Sequence, residues 1–107
     1  MSILDHNDNE AKAIIGATKD KLVLLYFWSN SCAPCKQFAP ILESIAVDLS
    51  DKVRIIKINI DKDEELAQKY MVRSLPTIIA LKNSIIEDTK LSVSTKTDFV
   101  TFIKSCL

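Results

Sequence analysis

Residues 22–38 read LVLLYFWSNSCAPCKQF. Seven apolar residues, Leu22 to Trp28, run without a polar break into a short polar turn. Two cysteines follow, with only Ala33 and Pro34 between them. An apolar run of strand length with no alternation suits a central strand covered on both faces. Pro34 suits the first turn of a helix, where its missing N–H costs little. Beyond it Phe38, Ile41, Leu42, Ile45 and Leu49 recur at helical spacing, which predicts a helix from about Cys32 to Leu49. Pro40 falls inside that helix, removes the bond to residue 36 and predicts a bend that wraps the helix round the core.

Working outward, Ser50 to Lys52 is a turn and VRIIKINI (53–60) reads as a second buried strand. The two strands and the helix between them form a right-handed βαβ unit with parallel strands. LPTIIAL (75–81) and IIEDTKL (85–91) flank Lys82-Asn83-Ser84, a hairpin signal. Asn7 with Glu10 is a helix N-cap pair for a short first helix, which Gly16 is placed to close. Asp61 or Asp63 caps a short helix with Glu64 and Glu65 in its first turn and Lys69 near its end. Thr95 with Asp98 reads as a capping box before a last helix whose core face is Phe99, Phe102 and Ile103, with Cys106 on the same stripe. The expected order is helix, strand, helix, strand, helix, hairpin, helix. That is an α/β architecture in three layers, a mixed sheet of four to five strands between about four helices, in one domain spanning 1–107.

Fourteen basic residues balance fourteen acidic ones in a chain of 107 residues. This leaves no electrostatic footprint for nucleic acid or an anionic membrane. The longest apolar run is far short of a membrane span. MSILDHNDNEAKA has neither a basic n-region nor a long apolar h-region, so a cytoplasmic protein is expected. Three cysteines, an odd and small number, argue against a secreted disulfide scaffold.

Cys32 and Cys35 can be read as a redox pair, part of a metal site, or two inert core residues. Cys32 falls just past a strand's C-terminal end and at a helix start, where open α/β sheets place their sites. Unpaired helix N–H groups stabilise an anion there, so the Cys32 thiolate should be favoured relative to a free thiol. The helix terminus contributes roughly 0.3–1 kcal/mol, or up to about one pKa unit. Residues i and i+3 are near enough for a disulfide. The chemistry this predicts is thiol–disulfide exchange. Zinc needs four ligands, and only His6 and Cys106, at opposite ends of the chain, could complete a set.

FWSNSCAPCK (27–36), Pro40, KINID (57–61), RSLPT (73–77) and LKN (81–83) together resemble the thioredoxin family over nearly the whole chain. The resemblance implies a thioredoxin fold and a protein disulfide reductase. Cys32 would be the nucleophile and Cys35 the resolving thiol. Trp28 would pack beside the active-site turn, and Lys57 would lie near Cys35. Leu75–Pro76 would be a cis peptide facing the cysteines, with the backbone of Leu75 pairing with an extended substrate segment. Ser92 would lie where the family's substrate groove forms. Pro34, where oxidants and isomerases of this fold carry His, favours a reductant. The resemblance further implies a monomer that binds no cofactor or metal. Thioredoxin reductase would recharge it with electrons from NADPH. Its clients would be of the ribonucleotide reductase, peroxiredoxin and methionine sulfoxide reductase classes. A protein re-tuned as oxidant or isomerase, or a non-catalytic binding subunit, are the alternatives.

The sequence departs from the family at five positions. Tyr26 stands where a buried Asp is usual; a phenol is a poor base near neutrality, and Lys57, without that anionic partner, is either neutral or paired elsewhere, with water or a nearby carboxylate. Ala33 replaces Gly between the cysteines and restricts the turn. Ser31 replaces an aromatic beside the nucleophile, which makes the docking surface less hydrophobic. Ser84 and Ser92 stand where glycines are usual.

Overall fold

The computed structural model describes residue 5 and residues 7–91 and 95–107. Ser92 and His6 lie outside the described residues, so the readings placed on them are not taken up below. The described residues form four strands and four helices in the order α1 (Asp8–Ala17), β1 (Leu22–Trp28), α2 (Ala33–Asp48), β2 (Val53–Asn59), α3 (Glu64–Lys69), β3 (Thr77–Lys82), β4 (Ile85–Lys90) and α4 (Lys96–Cys106). The sheet order is β2-β1-β3-β4. β1 pairs parallel with β2, Tyr26 opposite Lys57 and Trp28 opposite Asn59, and antiparallel with β3. Asp5 adds an isolated parallel bridge to Lys57 on the free side of β2.

The unbroken apolar run makes β1 the centre of the molecule. Its alternate residues point to opposite faces. Leu22, Leu24 and Tyr26 join Phe38, Leu42 and Ile45 of α2 and Phe99, Phe102, Ile103 and Cys106 of α4 in one core layer. Val23, Leu25 and Phe27 join Ala11, Ile14 and Ile15 of α1 and Leu66 and Ala67 of α3 in the other. Burying one such Leu or Phe contributes roughly 1.5–3 kcal/mol, and β1 does this on both faces. This is the three-layer α/β sandwich, with a four-stranded mixed sheet.

The helix ends follow local chemistry, with one correction. The Asn7 side chain accepts the Glu10 N–H (2.9 Å) while Glu10 Oε1 accepts the Asn7 N–H (3.0 Å), a complete capping box. Gly16 does not close α1. It has no positive φ, and the helix runs on to Ala17 until the Thr18 N–H and hydroxyl both reach the Ile14 carbonyl. Of the two aspartates, Asp63 caps α3 by accepting the Leu66 N–H at 3.1 Å. Thr95 caps α4 by accepting the Asp98 N–H. Helix α2 passes through Pro40.

Two backbone points are left-handed without glycine. Past α3, Met71 has φ 57°, with its N–H on the Gln68 carbonyl and the Val72 N–H on the Ala67 carbonyl. That is a Schellman stop, usually made with Gly. Asn83 (φ 51°) and Ser84 (φ 68°) make the two-residue hairpin turn between β3 and β4. β3 begins at Thr77, two residues later than the sequence suggests. Leu75–Pro76 is a cis peptide, and Pro76 has no N–H to give a ladder. Along β3 and β4 the register shifts between Ala80 and Leu81. Glu87 is thereby an extra residue, and the Thr89 N–H is taken by the Asp88 carboxylate at 2.8 Å.

Candidate active site

β1 ends at Trp28, and Ser29 to Ser31 turn the chain into α2. The turn is closed by the Cys32 N–H on the Ser29 carbonyl at 3.2 Å. Ser29 is buried, and its hydroxyl meets the Ser31 hydroxyl at 3.2 Å. From β2, the Ile60 N–H reaches the Trp28 carbonyl at 2.9 Å, and Asp61 accepts the Asn30 N–H at 3.4 Å. The turn is thus held from the segment just past the end of β2.

Cys32 is itself the N-cap of α2. Its sulfur accepts the Cys35 N–H at 3.2 Å, a place normally taken by the oxygen of Ser, Thr, Asn or Asp. Pro34 occupies the first turn, where no N–H is missed. Cys32 and Cys35 form a disulfide with their Cα atoms 5.3 Å apart. Cys35 is sealed beneath the turn at 2 % exposure, whereas Cys32 borders an open groove of about 570 Å³. Exposed Ala33 and Pro34 line the same groove, with Ser29, Ser31 and Ile60, and across it Val72, Arg73, Ser74 and Leu75. Pro76 lies buried just behind Leu75, and Thr77 fastens this loop by donating its hydroxyl to the Ser74 carbonyl at 2.6 Å.

Tyr26 and Lys57 stand side by side across β1 and β2, but their polar ends part. The Tyr26 hydroxyl donates to the Cys35 carbonyl at 3.3 Å, and burial pushes its pKa up to about 12. It is an uncharged donor, not a base. The Lys57 ammonium lies over the Trp28 ring, 4.5 Å from its centre. Among the described residues no hydrogen bond joins Lys57 to either cysteine, and its contact is with the face of Trp28. The edge of that same ring donates its Nε1–H to Asp5 at 2.7 Å. Asp5 carried no signal in the sequence, because its contacts are formed only by the fold.

Cys106 is buried in the α4 layer at 5 % exposure and unpaired. Desolvation is the main influence on its thiol and pushes its pKa up. Among the described residues no group of three or more His, Cys, Asp or Glu side chains could hold a metal. No helix among them is long and apolar enough to cross a membrane.

A disulfide at a helix N-terminus, one sulfur at a groove and the other sealed beneath it, defines a thiol–disulfide oxidoreductase. The Thioredoxin family model matches residues 2–105. Thioredoxin of Rickettsia bellii is 40 % identical over 86 residues, 80 % of this chain and 82 % of the relative. Thioredoxin of Bacillus subtilis is 36 % identical over 90 % of this chain and 89 % of its own. Thioredoxin of Haemophilus influenzae is 34 % identical over 94 % of each. The chain belongs to the thioredoxin family, whose activity is disulfide oxidoreduction in exchange with a reductase and client proteins.

Proposed function

We propose that this chain is a cytoplasmic, monomeric, one-domain protein disulfide reductant in which Cys32 attacks and Cys35 resolves. The supporting observation is the asymmetry of the pair: Cys32 caps α2 at the groove while Cys35 lies beneath it. In the reduced protein the Cys32 thiolate attacks one sulfur of a client disulfide. A mixed disulfide forms and the first client thiolate leaves. The Cys35 thiolate then attacks Cys32 Sγ, the Cys32–Cys35 bond closes, and the second client thiolate leaves. Two electrons pass to the client and solvent supplies its two protons. The helix N-terminus, through the Cys35 N–H, stabilises the attacking anion.

Trp28, Ala33 and Pro34 shape the turn, and Tyr26 holds the Cys35 carbonyl. Leu75, before cis Pro76, presents backbone to an extended client segment across the groove. The protein binds no cofactor. Thioredoxin reductase, drawing on NADPH, recharges the pair, and enzymes of the ribonucleotide reductase, peroxiredoxin and methionine sulfoxide reductase classes consume its electrons.

The test is insulin disulfide reduction together with the redox equilibrium of Cys32–Cys35 against a dithiol buffer of known potential, in a Cys106→Ser background. Rapid reduction and a strongly reducing midpoint are expected. Cys32→Ser should abolish turnover, and Cys35→Ser should accumulate a mixed disulfide with the client. A midpoint near that of disulfide oxidants would reverse the direction assigned here.

A further inference from the structure

Lys57 brings a positive charge to the sheet beside β1, yet its neighbour across the strands, Tyr26, offers an uncharged phenol already committed to the Cys35 carbonyl. Among the described residues no carboxylate lies within ion-pair distance of it. What it meets is the face of Trp28, the electron-rich side of an aromatic ring. The positive edge of that ring points its N–H at the Asp5 carboxylate, over the 2.7 Å of a charge-assisted bond. The two contacts reinforce one another: a carboxylate polarising the indole N–H pushes electron density into the ring and strengthens its hold on the cation. Asp5 is fixed for this by its backbone bridge to Lys57 itself.

The clamp acts directly on the active-site turn. The Trp28 carbonyl anchors Ile60, and the next residue, Ser29, accepts the Cys32 N–H. We infer that Asp5 is a positioning residue for the thiol–disulfide reaction: through the Trp28 indole it balances the Lys57 ammonium and sets the turn that carries Cys32. This rests on the reductase reading above. With Asp5 neutralised, the Lys57 charge is less compensated. Thiolates at the site gain, so the reduced pair is favoured and the protein becomes a weaker reductant.

Trp28 is the single tryptophan of the chain, so indole emission, compared between variants in the same redox state, reports the clamp. The experiment compares Asp5→Ala, Asp5→Asn and Lys57→Met, and the last two combined, in the Cys106→Ser protein. Emission and the redox equilibrium against a dithiol buffer are both read. Asp5→Ala should shift the emission and move the equilibrium at least threefold toward the dithiol. Asp5→Asn, which keeps an acceptor, should leave the emission close to that of the parent while moving the equilibrium the same way. In the Lys57→Met background Asp5→Asn should no longer move it, a coupling that a purely structural role would not produce. An equilibrium unmoved by Asp5→Asn, or moved equally with and without Lys57, overturns the inference. Because Asp5→Asn is the decisive variant, a misfolded Asp5→Ala leaves the test intact. Insulin reduction by the parent separates the two readings: a parent that fails it sinks the reductase, while the equilibrium still judges Asp5.

Discussion

The two faces of the central strand do different work. The face toward α2 and α4 is aromatic and carries a polar atom: Tyr26 packs on Phe38 at 5.7 Å, Phe38 meets Phe99 edge-on at 5.0 Å, and the Tyr26 hydroxyl ends on the Cys35 carbonyl. The face toward α1 and α3 is nearly all aliphatic. A ring pair on it, Phe27 with Tyr70 at 6.0 Å, backs the segment that leads through Met71 to the far wall of the groove. One face therefore fixes the helix that holds the sulfurs, and the other fixes the loop that forms the far wall of the groove. The site lies at the seam, where both layers run out at the end of β1.

Truncation is the strongest way to break this comparison. Phe38→Ala and Phe27→Ala should each cost about 3–5 kcal/mol in urea unfolding. Only Phe38→Ala should also alter the Cys32–Cys35 redox equilibrium; equal redox effects would erase the division of labour. A milder change is Tyr26→Phe. The folded-state pKa of Tyr26 lies above its unfolded value of about 10, so its stabilising contribution is complete below pH 10 and is lost as pH rises through about 12. The protein should lose up to roughly 3 kcal/mol across that window. Tyr26→Phe should flatten this alkaline loss, followed by unfolding midpoints between pH 9 and 12. Smaller still, Met71→Gly on the groove side and Ser84→Gly in the hairpin should each stabilise by about 1 kcal/mol, by relieving a left-handed residue. A loss of insulin reduction in Met71→Gly alone would sharpen the assignment of that loop to client contact. The smallest effect belongs to Asp48, whose carboxyl is held below the usual range by its hydrogen bond and charge contact with Lys96, joining α2 to α4 at 2.8 Å. Its contribution is present above the unfolded pKa and lost as pH falls through the lowered one. Asp48→Asn should thus lower stability slightly near neutrality and make acid unfolding slightly less steep, the two proteins converging at low pH.

Much of this was legible in residues 22–38 and their surroundings. An apolar run without alternation had to be a central strand, and helical spacing beyond Pro34 had to put both cysteines at a helix start. Asn7, Asp63 and Thr95 acted as caps because capping is chemistry between near neighbours. Gly16 misled, since a glycine can close a helix only if the chain turns left-handed there, and Thr18 ended the helix another way. β3 started late because cis Pro76 leaves the sheet without a donor. The Asp5–Trp28–Lys57 clamp was invisible for a different reason. It joins the chain's start to two strands, and no local pattern records an encounter across so many residues.

The bulge in β4 has a consequence for the company this protein keeps. β4 is an outer strand with Ile85 and Ile86 exposed, the sort of border on which other chains could add a strand of their own. The extra Glu87 breaks the spacing such an addition would need, and Asp88 keeps the Thr89 N–H occupied. A protein whose trade is brief encounters with unlike clients thus has one border made unwelcoming. A chain seeking to pair along that border meets a broken spacing and an occupied donor.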